Sequence, residues 1–281
     1  MRDAMRREWS MACDDQRMRR HTSADMALTA AGDARLVLSV AVNATGLAVD
    51  EQLEVTQGGV PVSVTEVIDA HGARLHLADV VEGDVHVSYR ATVDGRAEPL
   101  EVSALDEIVF LRPSRYCESD SLVPTAMREF SGLTGTDLLF GVSSWVGQRL
   151  QYVPGSSLPT DGAVRTMLAG EGVCRDYAHL VVALLRAMHL PARLASVYAP
   201  GLSPMDFHAV AEAAIDGHWY VVDATALAPR SSLLRIAAGR DASDTAFLTV
   251  RGAPVTLDDL TVGAVVDELP TDDLTQLISL G

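Results

Sequence analysis

"GEGVCRDYAHLVVALLRAMHLPAR", residues 170–193, decides how the chain is read. After Cys174 the apolar residues Tyr177, Leu180, Val181, Leu184, Leu185 and Met188 fall at alternating steps of three and one, which is one face of an α-helix. Gly170 and Gly172 permit tight backbone geometry before the helix, and Pro191 ends it. Cys174 shares the inward stripe and sits in the first turn, where unpaired backbone N–H groups and the positive end of the macrodipole favour a thiolate. A thiol that packs as a small hydrophobe explains the same position, so a partner has to decide. His179, five residues on, is about 140° round the axis, which predicts a surface residue. His189, in the last turn, is placed to interact with the terminal carbonyls.

The partner comes from "FHAVAEAAIDGHWYVVDAT", residues 207–225, which reads as two strands joined at Asp216-Gly217. A two-residue loop sets Ile215 opposite His218, and so Val210 opposite Asp223. His208 and Asp223 then share a face as diagonal neighbours, about 7–8 Å apart at the backbone and within reach of side chains that point at each other. A carboxylate there fixes the imidazole tautomer and stabilises the imidazolium formed when the ring takes a thiol proton. A polar strand face for His208 and a turn-end role for Asp223 are the plainer readings of each residue alone.

Before the chemistry the pattern has a period of two. From Ala34 to about Val93, stretches such as "ARLVLSVAV" and "DVHVSYRATV" alternate apolar and polar between glycine turns, which predicts an antiparallel β-sandwich-like domain over 27–104. Its histidines His71, His76 and His86 read as solvated strand positions rather than metal ligands. Residues 1–26, rich in arginine and without an apolar run, read as a basic tail, with Met18 or Met26 as alternative starts. The second domain spans 105–281. Its expected elements are helices over 122–130, 136–150 and 161–168, strands within 245–269, and a short polar helix from Thr271.

The formal charge of −16 disfavours nucleic acid and anionic membranes as partners. All 22 basic residues are arginine, so the chain supplies no ε-amine of its own. Three well-separated cysteines, Cys13, Cys117 and Cys174, fit a reducing cytoplasm rather than a disulfide framework. A zinc site from Cys117, Cys174 and His208 lacks compact ligand spacing, so no metal and no cofactor is expected. In "LRPSRYCESD", Arg112, Arg115 and Tyr116 cluster at the domain junction, where an arginine pair could hold a substrate carboxylate or latch the domains together.

"GEGVCRDYAHL", "LLRAMHLPAR", "HAVAE" and "WYVVDAT" together resemble the transglutaminase-like superfamily, whose core is related to papain-type cysteine proteases. The resemblance covers roughly 136–250. It implies an α+β fold in which an N-terminal β domain precedes a papain-like core, with the nucleophile at a helix N-terminus packed on an antiparallel sheet. Residue by residue it implies Cys174 as nucleophile, His208 as general base and acid, and Asp223 as orienter. Tyr152 matches an aromatic position near the cleft and is the candidate oxyanion partner, together with the Cys174 N–H. Val210 stands where the family has tryptophan, and Ala224 where it has proline. The implied activity is acyl transfer from a peptide or protein amide, to water first and to an amine second. A non-catalytic binding module is the alternative, and Val210 is its best support.

Overall fold

The computed structural model describes residues 18–43 and 45–280; Cys13 and most of the expected tail lie outside them. The described residues open with seven strands, β1 (Arg19–Ala30), β2 (Ala34–Leu38), β3 (Ala48–Gln57), β4 (Val60–Pro61), β5 (Val64–Ile68), β6 (Arg74–Val80) and β7 (Gly83–Asp94). Helices α1 (Ala104–Val109), α2 (Ser119–Phe130) and α3 (Gly135–Arg149) follow. Then come β8 (Gln151–Tyr152), α4 (Ala163–Ala169), β9 (Glu171–Gly172) and α5 (Cys174–Ala187). Strands β10 (Ala192–Tyr198), β11 (His208–Ile215), β12 (His218–Val222), β13 (Leu234–Gly239), β14 (Leu248–Gly252) and β15 (Val255–Val266) complete the α+β fold.

Two sheets, ordered β15-β1-β7-β3-β4 and β14-β2-β6-β5, share one apolar core, as a sandwich does. Inward residues Met26, Leu36, Val80 and Val87 are at most 3% exposed, the outcome of strict alternation along each strand. The β layer is not confined to 27–104, because β14 and β15 return from the far end of the chain to pair with β2 and β1. Nor does the tail reach residue 26. β1 begins at Arg19, and Arg20 and Thr22 occupy inward positions, with the Arg20 guanidinium donating to the carbonyls of Leu233 and Gly95. Polar residues on the buried parity hid the strand.

His76 also departs from the solvated reading. It is buried, with Nε2 3.1 Å from the Glu66 carboxylate, which also binds Arg74. Among the described residues no helix follows Thr271; instead the Asp273 carboxylate accepts from the Thr275 N–H and hydroxyl and makes a tight turn.

The third sheet, β12-β11-β10-β13, is the platform for the site. On one side Ala211, Ala213 and Val222 pack under α5, which α2 and α3 cover from outside. Tyr198, Leu234 and Ile236 belong to the sandwich core, so sandwich and platform are continuous. Among the described residues no helix is long and apolar enough to cross a membrane.

Candidate active site

Cys174 is the first residue of α5, and its surroundings are built from three short-range devices. Asp176 is fully buried and accepts the Val173 N–H at 2.8 Å and the Ser157 hydroxyl at 2.9 Å, capping the helix. Gly172 is required by that cap, since a Cβ there would lie 2.7 Å from the Asp176 Cβ. The parallel β8·β9 pair sets Tyr152 against Gly172, two residues before the cysteine. The Tyr152 hydroxyl lies against the backbone N–H and thiol of Cys174, and burial together with its interaction with Cys174 pushes its pKa up to about 12.

The β11–β12 pairing has Ile215 opposite His218 and Ala211 opposite Val222, the register implied by the Asp-Gly turn. Asp223 follows β12 directly, and its Oδ2 is 2.8 Å from His208 Nε2, with both side chains at most 1% exposed. Its other oxygen accepts the Thr225 N–H at 2.9 Å and hydroxyl at 2.6 Å, which leaves Nε2–H as the proton the pair shares. The backbone after Asp223 lies hard against α3, because a Cβ on Gly147 would be 2.8 Å from the Ala224 carbonyl oxygen.

Burial disfavours the His208 imidazolium, but the Asp223 carboxylate outweighs it, with Cys174 adding to the effect, and the pKa rises to about 10. Asp223 stays ionised for the reciprocal reason: burial raises its pKa, and His208 and Thr225 bring it below the usual value. His208 Nδ1 is buried with no other hydrogen-bond partner and is the ring nitrogen left for the thiol. The pair therefore has the parts to hold a proton on His208, with Asp223 ionised behind it.

A cleft of about 450 Å³ contains Cys174 and His208, walled by Tyr116, Arg175, Phe207 and Phe247. A larger concavity, about 630 Å³, lies on the outer polar face of the five-stranded sheet among Ser23, Gln52 and Arg90, and holds none of this chemistry. Of the junction residues, Tyr116 reaches the cleft. Arg112 is exposed and contributes its carbonyl to Arg186 at 3.0 Å. Arg115 is exposed too, its guanidinium over the Tyr116 ring at 4.9 Å. Neither arginine is among the residues that line the cleft. Cys117 is fully buried, which pushes its thiol up to about 12.

His179 is not a surface residue. It is 1% exposed because α5 is buried all round, its far side covered by the segments around Tyr116 and Ala242. The imidazole stacks on Tyr116 and accepts the Ala242 N–H at 3.1 Å, while Asp241 accepts the Tyr116 N–H at 3.0 Å. Periodicity misses this clamp, because it describes α5 alone and not the segments around Tyr116 and Ala242 that cover it. Among the described residues no group of three or more His, Cys, Asp or Glu side chains could hold a metal ion.

Residues 131–224 match the family model described as the transglutaminase-like superfamily. A crystal structure from Cytophaga hutchinsonii, of a protein assigned provisionally as a cysteine protease, is 32% identical; the alignment covers 90% of this chain and 92% of that one with a TM-score of 0.81. The chain belongs to the transglutaminase-like superfamily. Membership and that relative together support a cysteine-dependent enzyme in general. An uncharacterised protein of Mycobacterium leprae is 35% identical over 54 residues, so the match spans 19% of this chain and only 19% of that curated relative. The periplasmic domain of TgpA from Pseudomonas aeruginosa is 16% identical, with a TM-score of 0.41 over 71% of this chain and 91% of that one.

Proposed function

We propose that this transglutaminase-like protein is a thiol enzyme that attacks an amide carbonyl with Cys174 and passes the acyl group to water. The observation that carries the reading is the buried His208, bound through Nε2 to Asp223 and with Nδ1 left over for Cys174. His208 Nδ1 takes the thiol proton, and the sulfur bonds to the carbonyl carbon. The carbonyl oxygen becomes an oxyanion that the Cys174 N–H and the Tyr152 hydroxyl can meet with donors. Collapse breaks the C–N bond, and the imidazolium gives its proton to the departing amine. Water then attacks the thioester as His208 takes its proton, and collapse breaks the C–S bond and expels the sulfur, which recovers that proton from the imidazolium. Asp223 holds the tautomer throughout.

The relative's provisional assignment as a protease favours water over an amine in the second step. The substrate is a peptide or protein amide, and an amine acceptor reaching the same thioester would give transfer instead. Mass spectrometry after incubation with a peptide and amine library tests this directly. An acyl adduct on Cys174, absent in His208→Ala, is the expected result. A Cys174 that alkylates no faster than a free thiol, unchanged by His208→Ala, would overturn the reading.

A further inference from the structure

The cleft has a floor that the acyl-transfer chemistry does not use. Ser39, at the end of β2, and Ser196, on β10, both line it, and both hydroxyls are buried without a hydrogen-bond partner. Ser39 is 2% exposed and is fixed through its N–H, which donates to the Phe247 carbonyl at 2.9 Å. Ser196 faces the cleft from a strand position opposite Ala209 and Ala237. The walls around them are apolar: Leu194, Ile236, Leu248 and the stacked rings of Phe207 and Phe247, 5.2 Å apart at their centroids.

Apart from the Cys174 and His208 pair at its mouth, the charged residues lining the cleft are Asp206 and Arg175. Asp206 is exposed, and the Arg175 guanidinium is tied to the Ser157 hydroxyl and the Leu158 carbonyl. The deep part is thus uncharged, aromatic-walled and tipped by two hydroxyls. Polar groups placed in that way hydrogen-bond a bound ligand and discriminate against analogues that cannot answer them.

Resting on the proposed function for Cys174, we infer that the β-sandwich completes the substrate pocket, and that the pocket selects a tyrosine side chain, its ring against Phe207 and Phe247 and its phenol on Ser39 and Ser196. A phenol donates one hydrogen bond and accepts another, which matches two hydroxyls. Phenylalanine and leucine fit the walls but leave both serines unanswered. A glutamate brings an uncompensated charge into the uncharged floor. The volume of about 450 Å³ lies within the range of small-ligand sites.

The test separates binding from chemistry. N-acetyl-tyrosinamide, N-acetyl-phenylalaninamide and N-acetyl-leucinamide are titrated into the full chain carrying Cys174→Ala and followed by two-dimensional NMR. Tyrosinamide is expected to bind about tenfold or more tighter than phenylalaninamide, and Ser39→Ala or Ser196→Ala in the same background to shrink that ratio toward one. Equal binding of the tyrosine and phenylalanine amides, or a ratio that survives both serine substitutions, overturns the inference without touching the catalytic reading. In parallel, tyrosyl and phenylalanyl chloromethyl ketones are offered to the unsubstituted protein. Faster labelling of Cys174 by the tyrosyl probe supports both readings. No labelling, with the tyrosine preference intact in the binding experiment, overturns the catalytic reading and leaves the pocket standing.

Discussion

His179 accepts the backbone N–H of Ala242 at 3.1 Å while its ring lies within 14° of parallel to Tyr116, so one buried imidazole joins α5 to two walls of the cleft. Burial pushes its pKa from 6.5 down to about 3, and the ring is neutral in the folded protein. The unfolded chain binds a proton at this residue below about pH 6.5 and the folded chain does not. Its contribution to stability is therefore complete above that value and is lost as pH falls toward 3. His179→Gln keeps an acceptor without the titration. The stability gap between the parent and this variant is expected to narrow as pH drops from 7 to 4, read as urea midpoints at each pH. Parallel curves would show that His179 does not carry this linkage.

Asp223→Asn should fold, because the amide oxygen can still accept from the Thr225 N–H and hydroxyl. Its NH2 group, however, faces His208 Nε2 and forces the proton onto Nδ1, where the thiol needs an acceptor. Thiol reactivity or turnover is expected to fall about 10³–10⁴-fold, with the circular dichroism unchanged. The paired imidazolium stabilises the parent below the unfolded value of 6.5, and that contribution is lost as pH rises through about 10. The variant should lose this window. Iodoacetamide rates between pH 5 and 9 that match the parent would count against the pairing as a functional device.

Tyr152→Phe removes the hydroxyl beside the Cys174 N–H and leaves the ring that leans on Tyr177, 6.0 Å away. If that hydroxyl meets the oxyanion, kcat drops about 10²–10³-fold while KM changes little. A change confined to KM would make Tyr152 a binding residue only.

Much of this site was legible because its signals are local. The Asp-Gly turn sets the hairpin register, and from it the approach of Asp223 to His208 follows by counting. The helix stripe likewise puts Cys174 at an N-terminus. Contacts between remote segments leave no such trace. β14 and β15 join the first sheets across more than 200 residues, and no periodicity announces which edge they choose. Arg20 breaks the apolar alternation of β1 because it spends its charge on carbonyls of distant loops. His179 looked exposed because a helical wheel shows the far side of α5 but not what covers it. The serine floor was invisible for the same reason, since Ser39 and Ser196 come to line one cleft only in the folded chain.

Gly172→Ala would drive a methyl into Asp176, the residue that caps α5 and holds Ser157. Overpacking of this kind costs about 1–3 kcal/mol. The expected signature is a lower Tm together with slower alkylation of Cys174, because the displaced cap is the one that fixes the first turn. A loss of stability with reactivity unchanged would separate the cap from the chemistry.

The remaining test concerns the frame that carries His208. Glu212, on β11 and fully buried, bridges Arg193 on β10 at 2.8 Å and Arg235 on β13, and Arg193 lies over the Trp219 ring at 4.1 Å. Burial raises the Glu212 pKa and the two guanidiniums outweigh it, so it stays ionised. Glu212→Gln leaves two guanidiniums without their counter-charge between packed strands, and breaking a buried pair in this way costs about 3–5 kcal/mol. The parent should also lose this contribution as pH falls through the carboxylate range, and the variant should not, since its amide does not titrate. Urea unfolding at pH 7 and pH 4 reads both effects. A variant as stable as the parent at pH 7 would show that the three strands are held by apolar packing alone, and that the ion cluster plays no part in keeping His208 in place.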